Sequence, residues 1–307
     1  MTGDIFLGEL PREQLLKLAR DQELKIKFGP FAIALRSARA DLIALLQQFY
    51  PDAPLLNEQG FCHYHAEVQR DRSLSGVFKP KSQFSIDGVK PFDPYPLDHA
   101  FPLFEWGLNW CIGTTANQYL MLHSAVVERN GMALILPAVP GSGKTTLCAG
   151  LVNRGWRLLS DEFGIVDPES GLLLPMPRAM PLKNESIAVI EAFAPQAMLG
   201  PLYEKTRKGD VRHLAPPRES VRRQSEAVMP RWLVFPRYQR GSEFQLSAQA
   251  GSVAFTRLSN NAFNYQVTMA RGFKALTRLI RQVDSYSLHY SDLEGAIAEL
   301  TAMADAG

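Results

Sequence analysis

A run of small residues that ends in a lysine and two threonines is the first part of the sequence that could do chemistry. It comprises Ala138, Val139, Pro140, Gly141, Ser142, Gly143, Lys144, Thr145 and Thr146. Small residues let consecutive backbone N–H groups turn toward phosphate oxygens, and a helix that begins there points its positive end at the same anion. Every residue of the run is therefore a candidate for binding the phosphates of ATP.

Two residues of this loop have specific predicted tasks. Lys144 is expected to reach the β- and γ-phosphates, and the hydroxyl of Thr145 is expected to ligate Mg²⁺. Ala138 stands where the usual G-x-x-x-x-G-K-[ST] pattern begins with glycine, and its small side chain is compatible with that position. The alternative is a glycine-rich turn that binds nothing. An apolar strand before the loop and a helix-compatible stretch after it favour the phosphate site.

Two adjacent acids, Asp161 and Glu162, follow the stretch after the loop. Phosphoryl transfer needs a metal to offset phosphate charge and a carboxylate that deprotonates the attacking hydroxyl. We assign Asp161 as the general base, with Glu162 as the main metal carboxylate and Asp161 as a further candidate metal ligand. The strand that carries them is predicted to lie beside the phosphate loop in a parallel sheet. A solvated turn is the alternative interpretation.

His123 lies in the middle of the strand that precedes the loop strand. A histidine there could contact the γ-phosphate, or it could be a hydrogen-bonded core residue. The residues by themselves leave both interpretations open.

The densest basic stretch of the chain runs from Lys205 to Arg223. We interpret it as a loop region in which Arg207 and Lys208 bind the nucleotide phosphates, with Gly209 as a hinge, because cations near a transferring phosphoryl group stabilise its transition state. Arg178 and Lys183 are further candidates. A solvated charged loop is the alternative.

The elements that must position these residues alternate in type. The pattern predicts an α/β protein in which a small α+β domain spans residues 1–95 and a catalytic domain spans residues 96–307. Three prolines, Pro91, Pro94 and Pro96, mark the boundary. The first domain is a candidate for presenting the acceptor.

Whole-chain properties limit the partners. The sequence has 307 residues and a net charge of +2, which requires neither nucleic acid nor an anionic membrane as partner. Three widely spaced cysteines and an N-terminus without a signal-length apolar core favour a cytoplasmic protein. The stretch from Ala100 to Gly113 is predicted to be a buried helix, too short to span a bilayer.

Two other clusters have ordinary interpretations. Cys62, His63 and His65 could suggest a metal site, but no further Cys or His cluster completes a coordination shell, so they are predicted to be strand residues. A second group shares a helical spacing that predicts core packing. It consists of Phe101, Phe104, Trp106 and Trp110.

Three segments, in order, resemble the C-terminal kinase domain of HPr serine kinase/phosphorylase, and within it the HprK-related kinases of the HprK-related kinase A-like group. The segment 122–126 resembles the family's histidine strand, 141–146 its phosphate loop, and 154–162 its R-G-x-R-L-x-x-D-D segment. Glu162 replaces the second aspartate, and Ser124 stands where glycine is usual. The resemblance covers about residues 119 to 167 and implies a P-loop core shared with phosphoenolpyruvate carboxykinase.

The resemblance also implies roles. His123 contacts phosphate, Lys144 binds phosphate, Thr145 binds metal, Asp161 is the general base and Glu162 is a metal ligand. It implies an ATP- and Mg²⁺-dependent kinase, a protein or peptide acceptor and a homo-oligomer. The family's E-I-R-G-L-G-type signature for HPr recognition is missing, so the acceptor is expected to be a serine other than that of HPr. A small-molecule alcohol kinase and a nucleotide-binding regulatory protein without transfer activity remain alternatives.

Overall fold

The computed structural model describes residues 5–71, 80–137 and 141–306. Within these residues the chain is a mixed α/β protein, as predicted. It divides into two compact units, residues 1–112 and 113–307. None of the described helices is both long enough and apolar enough to cross a membrane.

Short helices and one sheet form the first unit. Its helices are α1 (Arg12–Asp21), α2 (Ala40–Phe49) and α3 (Ala100–Thr115), which continues into the second unit. Its strands are β1 (Ile5–Phe6), β2 (Leu24–Phe28), β3 (Phe31–Arg36), β4 (Pro54–Leu55), β5 (Tyr64–Arg70), β6 (Lys81–Ile86) and β7 (Tyr95–Pro96). Among the described residues the strand order is β1-β4-β2-β3-β5-β6-β7, and only β3 and β5 pair in parallel.

The division between the units falls within α3, whereas the sequence places the boundary near residue 95. The first part of α3 packs on the first unit: the ring of Phe101 lies 5.0 Å from that of Phe49, and Gly107 lies directly against the ring of Phe84. Pro91 and Pro94 lie between β6 and β7, and Pro96 lies in β7, but the helix after them still belongs to the first core.

The second unit contains two sheets and most of the helices. Its helices are α4 (Lys144–Asn153), α5 (Glu185–Phe193), α6 (Arg218–Arg222), α7 (Gly251–Asn260), α8 (Tyr265–Gln282) and α9 (Leu293–Ala306). Its strands are β8 (Leu120–Arg129), β9 (Met132–Pro137), β10 (Arg157–Ser160), β11 (Phe163–Val166), β12 (Leu173–Leu174), β13 (Met180–Lys183), β14 (Leu199–Thr206), β15 (Gly209–Leu214), β16 (Met229–Tyr238), β17 (Gln245–Ala248) and β18 (Asp284–Tyr290).

The larger sheet is mixed. In the described residues its order is β12-β11-β8-β9-β16-β18-β17, and β10 also pairs with β8. Strands β9, β16 and β18 run parallel to one another, and β8 runs antiparallel to β9. The carboxyl ends of β9, β16 and β18 therefore share one edge of the sheet.

Alternate residues of these strands face opposite layers of helices. Leu134 and Leu136 pack with α4 and α9 on one face of the sheet. Ile135, next in the strand, packs with α7 and α8 on the other face. Because both faces are covered, the strands read as continuous apolar runs, which explains why they are visible in the sequence.

The smaller sheet and helix α7 were not predicted. The sequence treats most of the 205–223 stretch as a loop, but β14 and β15 form a hairpin there that pairs with β13, and α6 follows it. Val211 and His213 are buried while Arg212 between them is not, and this period of two is the signal for a strand. Helix α7 precedes α8, which begins at Tyr265.

Candidate active site

The predicted phosphate loop lies in the chain between β9, which ends at Pro137, and α4, which begins at Lys144. Ala138, Val139 and Pro140 lie outside the described residues. Gly141 and Gly143 have φ angles of 84° and 86°, which favour glycine because they lie in the left-handed region. Gly143 is the N-cap of α4, so Lys144, Thr145 and the half-buried Thr146 form the first helical turn. The first N–H groups of a helix have no acceptor within it and so can bind an anion.

Gly143 is also required by its neighbours. A Cβ atom at this position would lie 2.8 Å from the Tyr290 hydroxyl and 2.9 Å from the Tyr238 Cβ atom. The Tyr238 N–H donates to the Ser142 carbonyl over 3.0 Å. The ends of β16 and β18 therefore fix the backbone of the loop at this point.

Ser142 carries a buried hydroxyl in the middle of the loop. The residue is 8% exposed, and its Oγ atom has no hydrogen-bond partner among the described residues. A buried hydroxyl without a partner is costly. A phosphate oxygen bound in the loop would supply an acceptor, which is one observation that fits a nucleotide here.

The acids Asp161 and Glu162 form the link between β10 and β11. Both strands pair antiparallel with β8, and the register moves from Ser160 opposite Val126 to Phe163 opposite His123. The link thus interrupts one long ladder, and the hydroxyl of Ser160 accepts the N–H groups of both Glu162 and Phe163.

The predicted position of β10 directly beside the loop strand is wrong, because β8 lies between β9 and β10. Since β9 and β10 are both antiparallel to β8, they run in the same direction, and their carboxyl ends share one edge of the sheet. The acids therefore reach the loop from one strand further away.

Four side chains converge at the start of α4. The Lys144 ammonium donates to the Asp161 backbone carbonyl and lies 3.5 Å from the Asp161 carboxylate and 3.6 Å from that of Glu162. The Thr145 hydroxyl donates to the Asp161 carboxylate over 3.1 Å. Lys144 is 9% exposed and Asp161 4% exposed, so this cluster of charges is held largely out of water.

His123 joins the same cluster through Glu162. Its Nε2 atom lies 3.7 Å from the Glu162 carboxylate, and its ring lies 5.2 Å from that of Phe263. The His123 N–H donates to the Asn261 carbonyl, and the Asn261 side chain donates to the His123 carbonyl. His123 is thus partly exposed and oriented toward the acids, and it is not a fully buried core residue.

The acids differ in their electrostatic environment. Burial raises the pKa of Asp161, and the neighbouring Lys144 only partly offsets this effect. Burial also pushes the pKa of Glu162 upward, but Lys144, His123 and Lys183 outweigh it and hold that pKa well below its usual range. Burial lowers the pKa of Lys144, yet the two carboxylates reverse the effect and keep it raised. The raised pKa suits Asp161 to accept a proton, and the lowered one suits Glu162 to remain an anionic ligand.

Cations of the smaller sheet face the acids. Lys183 ends β13, and its charge lowers the pKa of both Asp161 and Glu162. Lys208 lies in the turn of the β14–β15 hairpin; desolvation and the nearby Lys183 lower its pKa, while Glu162 opposes them. Both lysines are therefore within electrostatic range of the site, as the sequence proposed for Lys208.

The other predicted cations have different surroundings, and phosphate binding by Arg207 stays a prediction. Arg207 occupies the same turn as Lys208, and its backbone forms an isolated β-bridge with Gly209. Arg178 is buried near His213, whose pKa its charge helps to lower. Arg212 pairs with Glu191 of α5. The basic stretch is therefore divided between the site and the outer surface.

Gly209 closes the hairpin turn with a φ angle of 83°. A Cβ atom there would collide with the Asn184 side chain. The residue serves a tight turn between two strands, and the described contacts do not make it the hinge of a loop.

The strand prediction holds only for His65 among the three residues of the first cluster, and the core prediction holds for three of the four aromatic residues of the second. Among the described residues no group of three or more His, Cys, Asp or Glu side chains could hold a metal. His63 precedes β5, and His65 lies within it. In α3 the predicted core positions are buried except Trp110, which is 39% exposed.

The donor set of the site fits the groups that the resemblance implies. The Thr145 hydroxyl and the carboxylates of Asp161 and Glu162 are hard oxygen donors of the kind that Mg²⁺ prefers when phosphate oxygens complete its shell. Lys144 and the N-terminus of α4 supply the positive charge that a polyphosphate needs.

Several residues that shape the site gave no local signal. Tyr238, Tyr290, Asn261 and Phe263 are distant in sequence from the loop and belong to no motif. Only the folded chain brings them against Gly143 and His123. No protein-family model matches this sequence, and no curated protein matches it significantly.

Proposed function

We propose that the protein is an ATP- and Mg²⁺-dependent kinase that transfers the γ-phosphate to a hydroxyl acceptor, a serine of a protein or peptide other than HPr. One observation carries the proposal. The Lys144 ammonium, the Thr145 hydroxyl and the two carboxylates meet at the first turn of α4. Phosphate binding alone does not require a buried carboxylate beside the loop lysine, whereas phosphoryl transfer requires both.

The roles follow from the contacts. Lys144, the Ser142 hydroxyl and the loop N–H groups hold the phosphates, while Thr145, Glu162 and Asp161 would hold Mg²⁺. When bound, Mg²⁺ neutralises charge on the transferring phosphoryl group and the leaving oxygen. Lys183 and Lys208 add positive charge on the side of the acids, where negative charge develops during transfer.

Asp161 starts the reaction in this proposal. Its carboxylate accepts the proton of the acceptor hydroxyl as that oxygen forms a bond to the γ-phosphorus. The bond from the γ-phosphorus to the bridging oxygen breaks, and its electron pair leaves with ADP. Burial of Asp161 keeps competing water away from the proton that moves.

The cellular setting is also proposed. The three cysteines are buried thiols that form no disulfide, which suits the reducing cytoplasm. A homo-oligomer is proposed on the family resemblance.

The test follows phosphate directly. Purified protein with Mg²⁺ and ATP is mixed with a size-fractionated lysate, and products are followed by ³¹P NMR and intact-mass analysis. Lys144→Ala and Asp161→Asn serve as matched variants of the site, and ATP affinity is measured for each by calorimetry. We expect a new phosphomonoester with the wild type. Asp161→Asn should lower its rate by about a thousandfold while ATP affinity changes less than about threefold.

The outcomes separate the alternatives. Phosphate on a small molecule instead of a peptide identifies a small-molecule kinase. Tight ATP binding without transfer to any fraction identifies a nucleotide-binding regulatory protein. Full activity of Asp161→Asn contradicts the assignment of the base.

A further inference from the structure

A cavity of about 590 Å³ lies beside the phosphate loop, and its lining does not include the two acids. Its volume falls in the range of roughly 300–1,000 Å³ that is typical of small-molecule sites. Four segments bound it: Pro137 at the end of β9, Gly141 and Ser142 of the loop, the end of β16 at residues 235–238, and the end of α7 with Arg257, Asn260 and the following Asn261. The loop is thus a shared wall between this cavity and the cluster around Lys144.

The cavity wall presents a flat cation. The Arg257 guanidinium lies 3.8 Å from the centre of the Phe235 ring and donates to the Ser287 hydroxyl over 2.9 Å. These contacts hold the guanidinium against one aromatic face, and both Arg257 and Phe235 line the cavity. A guanidinium held in this way is a stacking surface for a second π system. The exposed amide of Asn260 beside it can exchange hydrogen bonds with a heteroaromatic edge.

The position of the cavity decides between two occupants. An acceptor hydroxyl must reach Asp161, but neither Asp161, Glu162 nor Lys144 lines the cavity. Those residues lie toward β8, whereas the cavity includes the end of β16, and β9 lies between these two strands. At its far end the cavity lining includes Asn261, which bonds the backbone of His123 on β8. A molecule that extends from the cavity across Gly141 and Ser142 to Lys144 must carry a chain of phosphates on a larger group. A nucleoside triphosphate has that form.

We propose that this cavity binds the nucleoside of the nucleoside triphosphate. The purine base stacks on Arg257, and its edge forms hydrogen bonds with the Asn260 amide. The inference rests on the proposed function, since it requires a polyphosphate in the loop. It adds the residues that distinguish a nucleotide from a bare polyphosphate, and it assigns the acceptor to the opposite side of the loop.

The test compares two ligands that differ only in the nucleoside. Calorimetry measures the binding of ATP and of inorganic tripolyphosphate, each with Mg²⁺, to the wild type and to Arg257→Met, which keeps an unbranched apolar contact with Phe235. We expect Arg257→Met to weaken ATP binding by about tenfold and to change tripolyphosphate binding by less than about twofold. Asn260→Ala, at an exposed position, should weaken ATP binding by about threefold and provides a second variant if Arg257→Met does not fold.

Arg231→Met is the matched control. Arg231 lies at the other end of β16, stacks near Trp232 at 5.9 Å and pairs with Asp284, but it does not line the cavity. It should change neither affinity.

Each outcome decides something. Equal weakening of both ligands by Arg257→Met, or weakening of neither by both cavity variants, overturns the nucleoside assignment. If Lys144→Ala still loses both ligands in that case, the proposed phosphate site stands and only the cavity is misassigned. If the wild type binds neither ligand, both proposals fall. A raised acceptor KM in Arg257→Met with unchanged ATP affinity makes the cavity an acceptor site and also overturns the inference.

Discussion

The ammonium of Lys144 and the carboxylate of Asp161 lie 3.5 Å apart, with side chains only 10% and 3% exposed. Each charge is tolerated in the interior largely because of the other, so the pair that the proposed chemistry uses is also structural. Lys144→Met should destabilise the fold by about 3 kcal/mol, because it leaves Asp161 buried without its main partner.

Urea unfolding of Lys144→Met, Asp161→Asn and the double variant measures this coupling. The double variant should regain more than half of the stability lost in Lys144→Met, since it removes the unpaired charge. Strictly additive losses contradict a direct coupling.

Glu162 tests the metal assignment separately from the base. Glu162→Gln keeps the shape of the side chain but removes the charge that Lys144 and His123 stabilise. The Mg²⁺ concentration that gives half-maximal transfer should rise by about tenfold or more. Glu169→Gln, at a carboxylate with an 81% exposed side chain, is the control and should not change it. An unchanged Mg²⁺ requirement in Glu162→Gln removes Glu162 from the metal site.

Lys208 and Arg212 separate the part of the basic stretch that faces the site from the part that does not. Lys208 interacts electrostatically with Glu162, whereas Arg212 pairs with Glu191. Lys208→Ala should lower kcat by roughly tenfold to a hundredfold, because a cation near the transferring group is lost. Arg212→Ala should lower it by less than about twofold. Steady-state kinetics with saturating ATP makes the comparison, and equal effects of both substitutions argue for a general charge effect.

Gly143 and Gly141 form a natural pair for testing the loop backbone. Both have positive φ, but a Cβ atom at Gly143 meets Tyr238 and Tyr290, while one at Gly141 meets nothing within 4 Å. Gly141→Ala should cost about 1 kcal/mol from backbone strain alone, and Gly143→Ala should cost at least about 2 kcal/mol more. Thermal unfolding of both variants measures the difference. Equal losses of stability in the two variants mean that Tyr238 and Tyr290 move aside at no cost in free energy.

His213 gives the protein a pH-dependent stability. Burial, with the charges of Arg178, Lys183 and Lys208, lowers its pKa from 6.5 to about 3. Between these two pH values the unfolded chain binds a proton that the folded protein does not, so stability falls as pH falls from about 6.5 to about 3. The slope from this group reaches roughly 1.4 kcal/mol per pH unit.

The contribution is isolated by comparing the wild type with His213→Gln. Above pH 6.5 the difference in unfolding free energy between the two should be constant. Below it, the difference should shift in favour of the variant. Parallel profiles from pH 6.5 to the lowest pH at which both proteins fold contradict this assignment.

The residues of the candidate site could be predicted from the sequence better than the strand pairing that brings them together. Lys144 and Thr145 are identifiable as candidates because the pattern that selects them is local: one strand, one turn and one helix turn contain its spacing. The convergence of Asp161 and Glu162 with them is also foreseeable, because strands that run in one direction end at one edge. The predicted neighbour of β10 was wrong, because no local pattern indicates which strand another strand pairs with.

The sequence by itself determined the buried strands of the larger sheet and the glycine turn before α4. Continuous apolar runs specify buried strands such as β9, and the glycine run with Lys144 specifies a turn that suits phosphate. These features depend on residues within one or two turns of each other, where side-chain period and backbone preference act directly.

Only the tertiary structure decided what surrounds that loop. Tyr238 and Tyr290 reach Gly143, Arg257 bounds the neighbouring cavity, and Lys183 and Lys208 come within electrostatic range of Glu162 from a small sheet that the sequence did not predict. These relationships join residues far apart in the chain, and strand order and packing fix them. Each of these contacts depends on how the whole core packs, so no single segment of the sequence predicts it.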